Sequence, residues 1–102
     1  MTVNELKAKL DANEPVQLID IREGWELEVS NIGGVHIPMG EILERSNELK
    51  TDVPCVIQCR TGSRSGKIVK VLELHKGLTN LHNLEGGINA WAQAIDTTLE
   101  QY

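Results

Sequence analysis

The chain predicts a single α/β domain over residues 1–102, with a mainly parallel central sheet and helices on both faces. Three observations carry that expectation. Short apolar runs of strand length alternate along the chain with segments whose apolar residues recur at helical spacing. At 102 residues there is material for one core, and no linker, repeat or low-complexity stretch divides the chain. There is no Phe, and the aromatics are Trp25, Trp91 and Tyr102, so aliphatic side chains must fill the interior between packed layers.

Taken in order, Thr2 and Glu5 have capping-box spacing, and Leu6 and Leu10 follow at helical intervals, which predicts a helix to about Ala12. Pro15 ends it. Residues 16–20 predict a strand that delivers Asp20 and Arg22 to a loop. Residues 23–29 predict a short helix before the Gly33-Gly34 turn. His36-Ile37 reads as a brief strand stopped by Pro38, after which Ile42, Leu43 and Leu49 predict another helix. Residues 53–58 predict a central strand, residues 65–75 a helix stopped near Gly77, and residues 81–84 a further strand. Gly86-Gly87 opens a last helix carrying Ile88, Trp91, Ala92 and Ile95.

The segment Cys59, Arg60, Thr61, Gly62, Ser63, Arg64, Ser65 holds most of the chemistry. It falls where the central strand ends and a helix begins, and in α/β sheets ligands bind beyond the carboxyl ends of the strands. Successive backbone N–H groups of a tight loop at a helix N-terminus make a concave anion site, reinforced by the helix dipole. A thiolate at Cys59 is stabilised there, as is an anion bound beside it. The expectation is a Cys59 largely ionised near neutrality. Arg60, Arg64, Lys67 and Lys70 lie in or just after this loop, and no Asp or Glu occurs from residue 53 to residue 72. On a chain of net charge −5 such a local positive field suits a small anionic ligand.

Other function classes fit less well. The net charge argues against general nucleic-acid binding. No apolar run approaches the ~20 residues needed to span a bilayer. Glu5, Lys7, Lys9 and Asp11 stand where a signal peptide would need an apolar stretch, so a cytoplasmic protein with reduced thiols is expected. Cys55, inside the apolar strand, reads as a buried inert thiol. His36, His75 and His82 are dispersed, and Cys55 with Cys59 lacks zinc spacing, so neither a metal nor another cofactor is expected.

The residues 20–26, Asp-Ile-Arg-Glu-Gly-Trp-Glu, the loop 59–65 and the residues 84–91, Leu-Glu-Gly-Gly-Ile-Asn-Ala-Trp, together resemble the rhodanese family over almost the whole chain. Leu27 stands where an aromatic is usual, and residues 31–38 replace a more frequent Gly-His-Ile segment. The resemblance implies a sulfurtransferase. From Cys59 to Arg64 the loop is Cys-x4-Arg, as in rhodanese-like sulfurtransferases, whereas related phosphatases carry Cys-x5-Arg, a cradle wide enough for phosphate. The implied reaction moves sulfane sulfur from thiosulfate, or from a protein persulfide, to a thiophilic acceptor through a Cys59 persulfide. The alternatives are a non-catalytic or regulatory binding module and, with less support, a phosphatase or arsenate reductase.

Within that framework Cys59 is the candidate nucleophile, and Arg60, Thr61, Gly62, Ser63, Arg64 and Ser65 are candidate substrate-binding residues. Arg60 could hold the donor or lie in solvent. Arg64 could stabilise ligand or persulfide, or brace the loop. Gly62 is expected at φ > 0, and Ser63 and Ser65 can cap the following helix or donate to the sulfur, capping being the role expected first. Asp20, Arg22, Glu23 and Glu26 are expected to be structural, Trp91 to lie in the core and Trp25 near the site rim. The resemblance also implies, as partners, a small anionic sulfur donor and a thiol or sulfur-carrier protein as acceptor, with the carboxyl-terminal portion similar to rhodanese domains attached to enzymes that activate such carriers.

Overall fold

The computed structural model describes residues 1–102. Helix α1 (Val3–Asp11) opens with the expected box, the Thr2 hydroxyl accepting from the Glu5 N–H while the Glu5 carboxylate accepts from the Thr2 N–H. Strand β1 (Gln17–Asp20), helix α2 (Gly24–Val29), strand β2 (Val35–His36), strand β3 (Cys55–Gln58), helix α3 (Ser63–Lys76), strand β4 (Leu81–Asn83) and helix α4 (Gly87–Ala94) follow. The four strands form one parallel sheet in the order β2-β1-β3-β4. That is the parallel α/β sheet expected.

The two-residue alternation of the strands divides the interior. Ile19, Cys55 and Ile57 face one side and pack with Ile68, Val69 and Leu72 of α3 and with Ile42 and Leu49. Val56 faces the other side, with Val3 and Leu6 of α1, Leu84 and Trp91 of α4. Helices therefore cover both faces, and β3 is buried along its whole length. Trp91 is a core residue, as its spacing with Ile88 indicated.

One element differs. Residues 42–49 do not form a helix; two single 3₁₀ turns, Met39–Glu41 and Ser46–Glu48, carry the chain instead. Ile42 and Leu49 are buried as their apolar character demands, but Leu43 projects to solvent. Two inward anchors seven positions apart need only a wrapping segment, and Ser46-Asn47 between them favours turns over a helix interior. Two boundaries also shift by two residues, and others by one. Strand β3 begins at Cys55, after Pro54, which has no N–H to give a ladder. Helix α3 begins at Ser63, two residues earlier than expected.

The register brings the carboxyl ends of the strands level. Asp20 lies opposite both His36 and Gln58, and Ile57 opposite Asn83. The loops after β1, β3 and β4 consequently meet at one end of the sheet. No helix is long and apolar enough to cross a membrane.

Candidate active site

Cys59 leaves β3 and turns at once into α3. Gly62, the N-cap of α3, has φ +91°, and a Cβ there would press on the Gly86 nitrogen and the Leu84 carbonyl oxygen at 3.2 Å. The left-handed turn directs N–H groups inward: the Gly62 N–H donates to Cys59 Sγ at 3.1 Å and the Ser65 N–H at 3.4 Å. Ser65 Oγ lies 3.2 Å from the same sulfur. The cysteine is 1% exposed, at the floor of its loop.

The loop's carbonyls point the other way and are held by α4. The Ile88 N–H donates to Cys59 O at 2.9 Å and the Asn89 N–H to Arg60 O at 3.1 Å. Gly87 permits this approach: its φ is +60°, and any Cβ would run into the carbonyl oxygens of Cys59 and Arg60. The Gly-Gly pair that opens α4 thus acts as the backstop of the cysteine loop, a local sequence signal with a distant structural purpose.

Burial disfavours a charged Cys59, but the hydrogen bonds from the Ser65 hydroxyl and from the Ser65, Gly62 and Thr61 N–H groups together outweigh it, and the thiol is held below its ordinary value of 9.0. Cys55 has only the burial, which pushes its thiol up to about 11. Both cysteines are free.

Ser65 is shared. Its Oγ also lies 2.5 Å from Asn83 Oδ1, and Asn83 Nδ2 donates to the Gly62 carbonyl at 3.1 Å. A hydroxyl has one proton to give. With Cys59 as thiol, the S–H donates to Ser65 Oγ and Ser65 donates to Asn83; with Cys59 ionised, the Ser65 hydroxyl turns to the sulfur. The expectation that Ser63 and Ser65 cap the helix is corrected here: α3 has no side-chain cap, and Ser65 serves the sulfur and Asn83.

The two loop arginines differ. Arg64 forms a two-point pair with Glu26 of α2, NH1 to Oε2 at 2.9 Å and NH2 to Oε1 at 2.7 Å. That pair braces the loop against α2. Glu26 also accepts from the Glu23 N–H and the Tyr102 hydroxyl, and Arg64 foremost holds its carboxyl down at about 2. Arg60 pairs with no carboxylate; its Cζ lies 4.8 Å from the centroid of the Tyr102 ring. Trp25, 61% exposed, meets the same ring edge-on at 5.9 Å.

Asp20 and Arg22 tie the strand end to its neighbours, as expected. The fully buried Arg22 guanidinium donates to both Asp20 carboxylate oxygens, to the Glu26 and Ser30 carbonyls and to the Tyr102 hydroxyl. Of the residues singled out from sequence, Cys59, Gly62 and Ser65 converge on the sulfur, Arg64 is turned toward Glu26, and Arg60 stands on the rim. Asn83 and Tyr102 belong to the same assembly and carry no local motif that would have singled them out.

Comparison with known proteins places this arrangement. The model of the rhodanese-like domain matches residues 2–94, and the chain belongs to that family. Among solved structures, a rhodanese-like domain protein from Staphylococcus aureus superposes with a TM-score of 0.81 at 34% identity, covering 100% of this chain and 96% of that one. YtwF of Bacillus subtilis is 41% identical over 84% of this chain and 82% of its own length. The bovine (Bos taurus) adenylyltransferase and sulfurtransferase MOCS3 is 30% identical over 100% of this chain. The chain spans only 27% of MOCS3, and no more than 82% of the curated relatives named here.

Proposed function

We propose that the chain is a sulfurtransferase that carries sulfane sulfur on Cys59. The observation that supports it best is the convergence of the Gly62 and Ser65 N–H groups on Cys59 Sγ within a six-residue loop. Donors arranged in this way favour a thiolate, the nucleophilic form, and then the terminal sulfur of a persulfide in the same cradle. Kinship with a protein named as a sulfurtransferase points the same way.

In the proposed first step the Cys59 thiolate attacks the outer sulfur of a donor such as thiosulfate. The new Cys59 S–S bond forms as the S–S bond of the donor breaks, and sulfite leaves with the bonding electron pair. In the second step the nucleophilic atom of a thiophilic acceptor, such as cyanide, a small thiol or the cysteine thiol of a sulfur-carrier protein, bonds to the terminal sulfur as the Cys59 S–S bond breaks, and the Cys59 thiolate leaves restored. A protein persulfide would serve equally as donor. Two unpaired thiols suit a reducing compartment such as the cytoplasm.

The test is thiocyanate and sulfite formation from thiosulfate and cyanide, with a +32 Da adduct sought on Cys59 by intact mass spectrometry. Wild type is expected to turn over and to carry the adduct, and Cys59→Ser to do neither. Equal rates for the two proteins would remove Cys59 from the mechanism. Turnover of an aryl phosphate or of arsenate with no sulfur transfer would replace the reading altogether.

A further inference from the structure

Tyr102 lies far from the loop in sequence yet contacts Arg22, Glu26 and Arg60 beside it. Its hydroxyl donates to Glu26 Oε1 at 2.9 Å and accepts from Arg22 NH1 at 2.9 Å. Glu26 is the residue that holds Arg64, and Arg22 is locked to Asp20. The tyrosine is therefore anchored by its polar end to two braced ion pairs, with the Trp25 ring against its edge. What remains of its ring lies under Arg60.

The Arg64 charge is paired with Glu26, whereas Arg60 has no carboxylate partner among the ion pairs of the chain. A guanidinium stacked on a ring keeps its N–H groups in its own plane, directed outward from the stack and free to meet an anion. Without the ring, an exposed arginine samples many rotamers and places its charge at the cradle only part of the time. Arg60 directly follows Cys59, so its charge, when held, lies within about one Debye length, ~8 Å, of an incoming reagent.

We propose that Tyr102 is a positioning residue: its ring fixes the Arg60 guanidinium at the rim of the Cys59 loop and so biases the site toward anionic over neutral reactants. This deepens the proposed function and rests on Cys59 being the reacting group, but not on sulfur being what it carries.

The probe is a pair of alkylating reagents of nearly equal size, iodoacetate and iodoacetamide, reacted with the native chain at one pH and low ionic strength. Their rate ratio at Cys59 reads the local field, whereas a loosened fold changes both rates together. Tyr102→Leu is expected to lower the iodoacetate-to-iodoacetamide ratio about three-fold, the size expected for losing an exposed cation–ring contact. Tyr102→Phe, which keeps the ring but loses the hydroxyl bonds that anchor it, is expected to give a ratio between those of wild type and Tyr102→Leu. Arg60→Ala is expected to lower the ratio at least as far, and adding Tyr102→Leu to it is expected to change the ratio no further.

An unchanged ratio in Tyr102→Leu, or a Tyr102→Leu effect undiminished by Arg60→Ala, overturns the proposal. Should Tyr102→Leu fail to fold, Arg60→Ala leaves the tyrosine in place, and a wild-type ratio there overturns it alone. No sulfur donor enters this experiment, so a failure of sulfite release would strike the sulfurtransferase reading while the alkylation ratio still decides the role of Tyr102.

Discussion

Arg64 and Glu26 meet through two parallel hydrogen bonds of 2.9 and 2.7 Å that join the start of α3 to α2. The pair crosses 38 positions of sequence and buries the carboxylate to 4% exposure. An arginine that loop motifs alone could assign to a ligand is thereby a fastening, and the positive field at the loop is left chiefly to Arg60 and the N–H groups.

Acid should undo this fastening. Glu26 is held at about 2 in the folded chain against an ordinary 4.5, with Arg64 the main cause. A carboxyl whose folded value is depressed contributes stability that is fully present above about pH 4.5 and is lost as pH falls through about 2. The shift corresponds to at most roughly 3 kcal/mol. Denaturant midpoints measured from pH 7 down to pH 2 should fall for the wild type across that window. Glu26→Gln should start lower at pH 7 and show a shallower acid decline; a parallel decline would mean that other groups control acid unfolding.

Cys59 and Cys55 should separate cleanly by reactivity. With Cys59 held below 9.0 and Cys55 pushed up to about 11, iodoacetamide near pH 8 should label Cys59 in the native chain and reach Cys55 only in denaturant. Ser65→Ala removes the one side-chain donor able to turn toward the thiolate, so the midpoint of the Cys59 alkylation profile should rise by about half to one pH unit. A midpoint unmoved or lowered would show that the Ser65 hydroxyl stays committed to Asn83 in both states.

The Asp20–Arg22 pair should matter for stability rather than for chemistry. Arg22 is fully buried, and its donors are satisfied by Asp20, two carbonyls and Tyr102. Asp20→Ala leaves that cation without its counter-charge, and a loss of about 3–5 kcal/mol is expected. Thermal or urea unfolding reads it directly. A loss under about 1 kcal/mol would mean that the carbonyls and Tyr102 alone suffice.

The strands, the four helices and the cysteine loop could be read ahead of the structure because each is written locally: β3 in a run of apolar residues, α1 in the Thr2–Glu5 box, the turn at Gly62 in a residue that tolerates φ > 0. The segment from Ile42 to Leu49 misled because its apolar residues match helical spacing while only two of the three face inward. The contacts that finish the site, Glu26 on Arg64, Asn83 on Ser65 and Tyr102 on Arg60, join residues separated by 18 to 42 positions of sequence. Side-chain pairing across such distances leaves no periodicity and no motif in a single sequence. It becomes visible only when the strand register brings the loops to one edge.

Gly87 offers the sharpest test of how that edge is built. It is the first residue of α4, with φ +60°, and a Cβ on it would occupy the space of the Cys59 and Arg60 carbonyl oxygens. Gly87→Ala must therefore bear the left-handed backbone cost, about 1–2 kcal/mol for one residue, and in addition push the loop off the N–H groups of Ile88 and Asn89. The loss should exceed 2 kcal/mol, and Cys59 alkylation near neutral pH should slow as the donors at Sγ lose their alignment. Gly24→Ala is the matched control, since a Cβ there meets nothing within 4 Å, and it should leave both stability and reactivity close to wild type. If Gly87→Ala unfolds at the same temperature as Gly24→Ala with Cys59 equally reactive, the helix is not the backstop of the loop, and the cradle must be held from the β3 and α3 side alone.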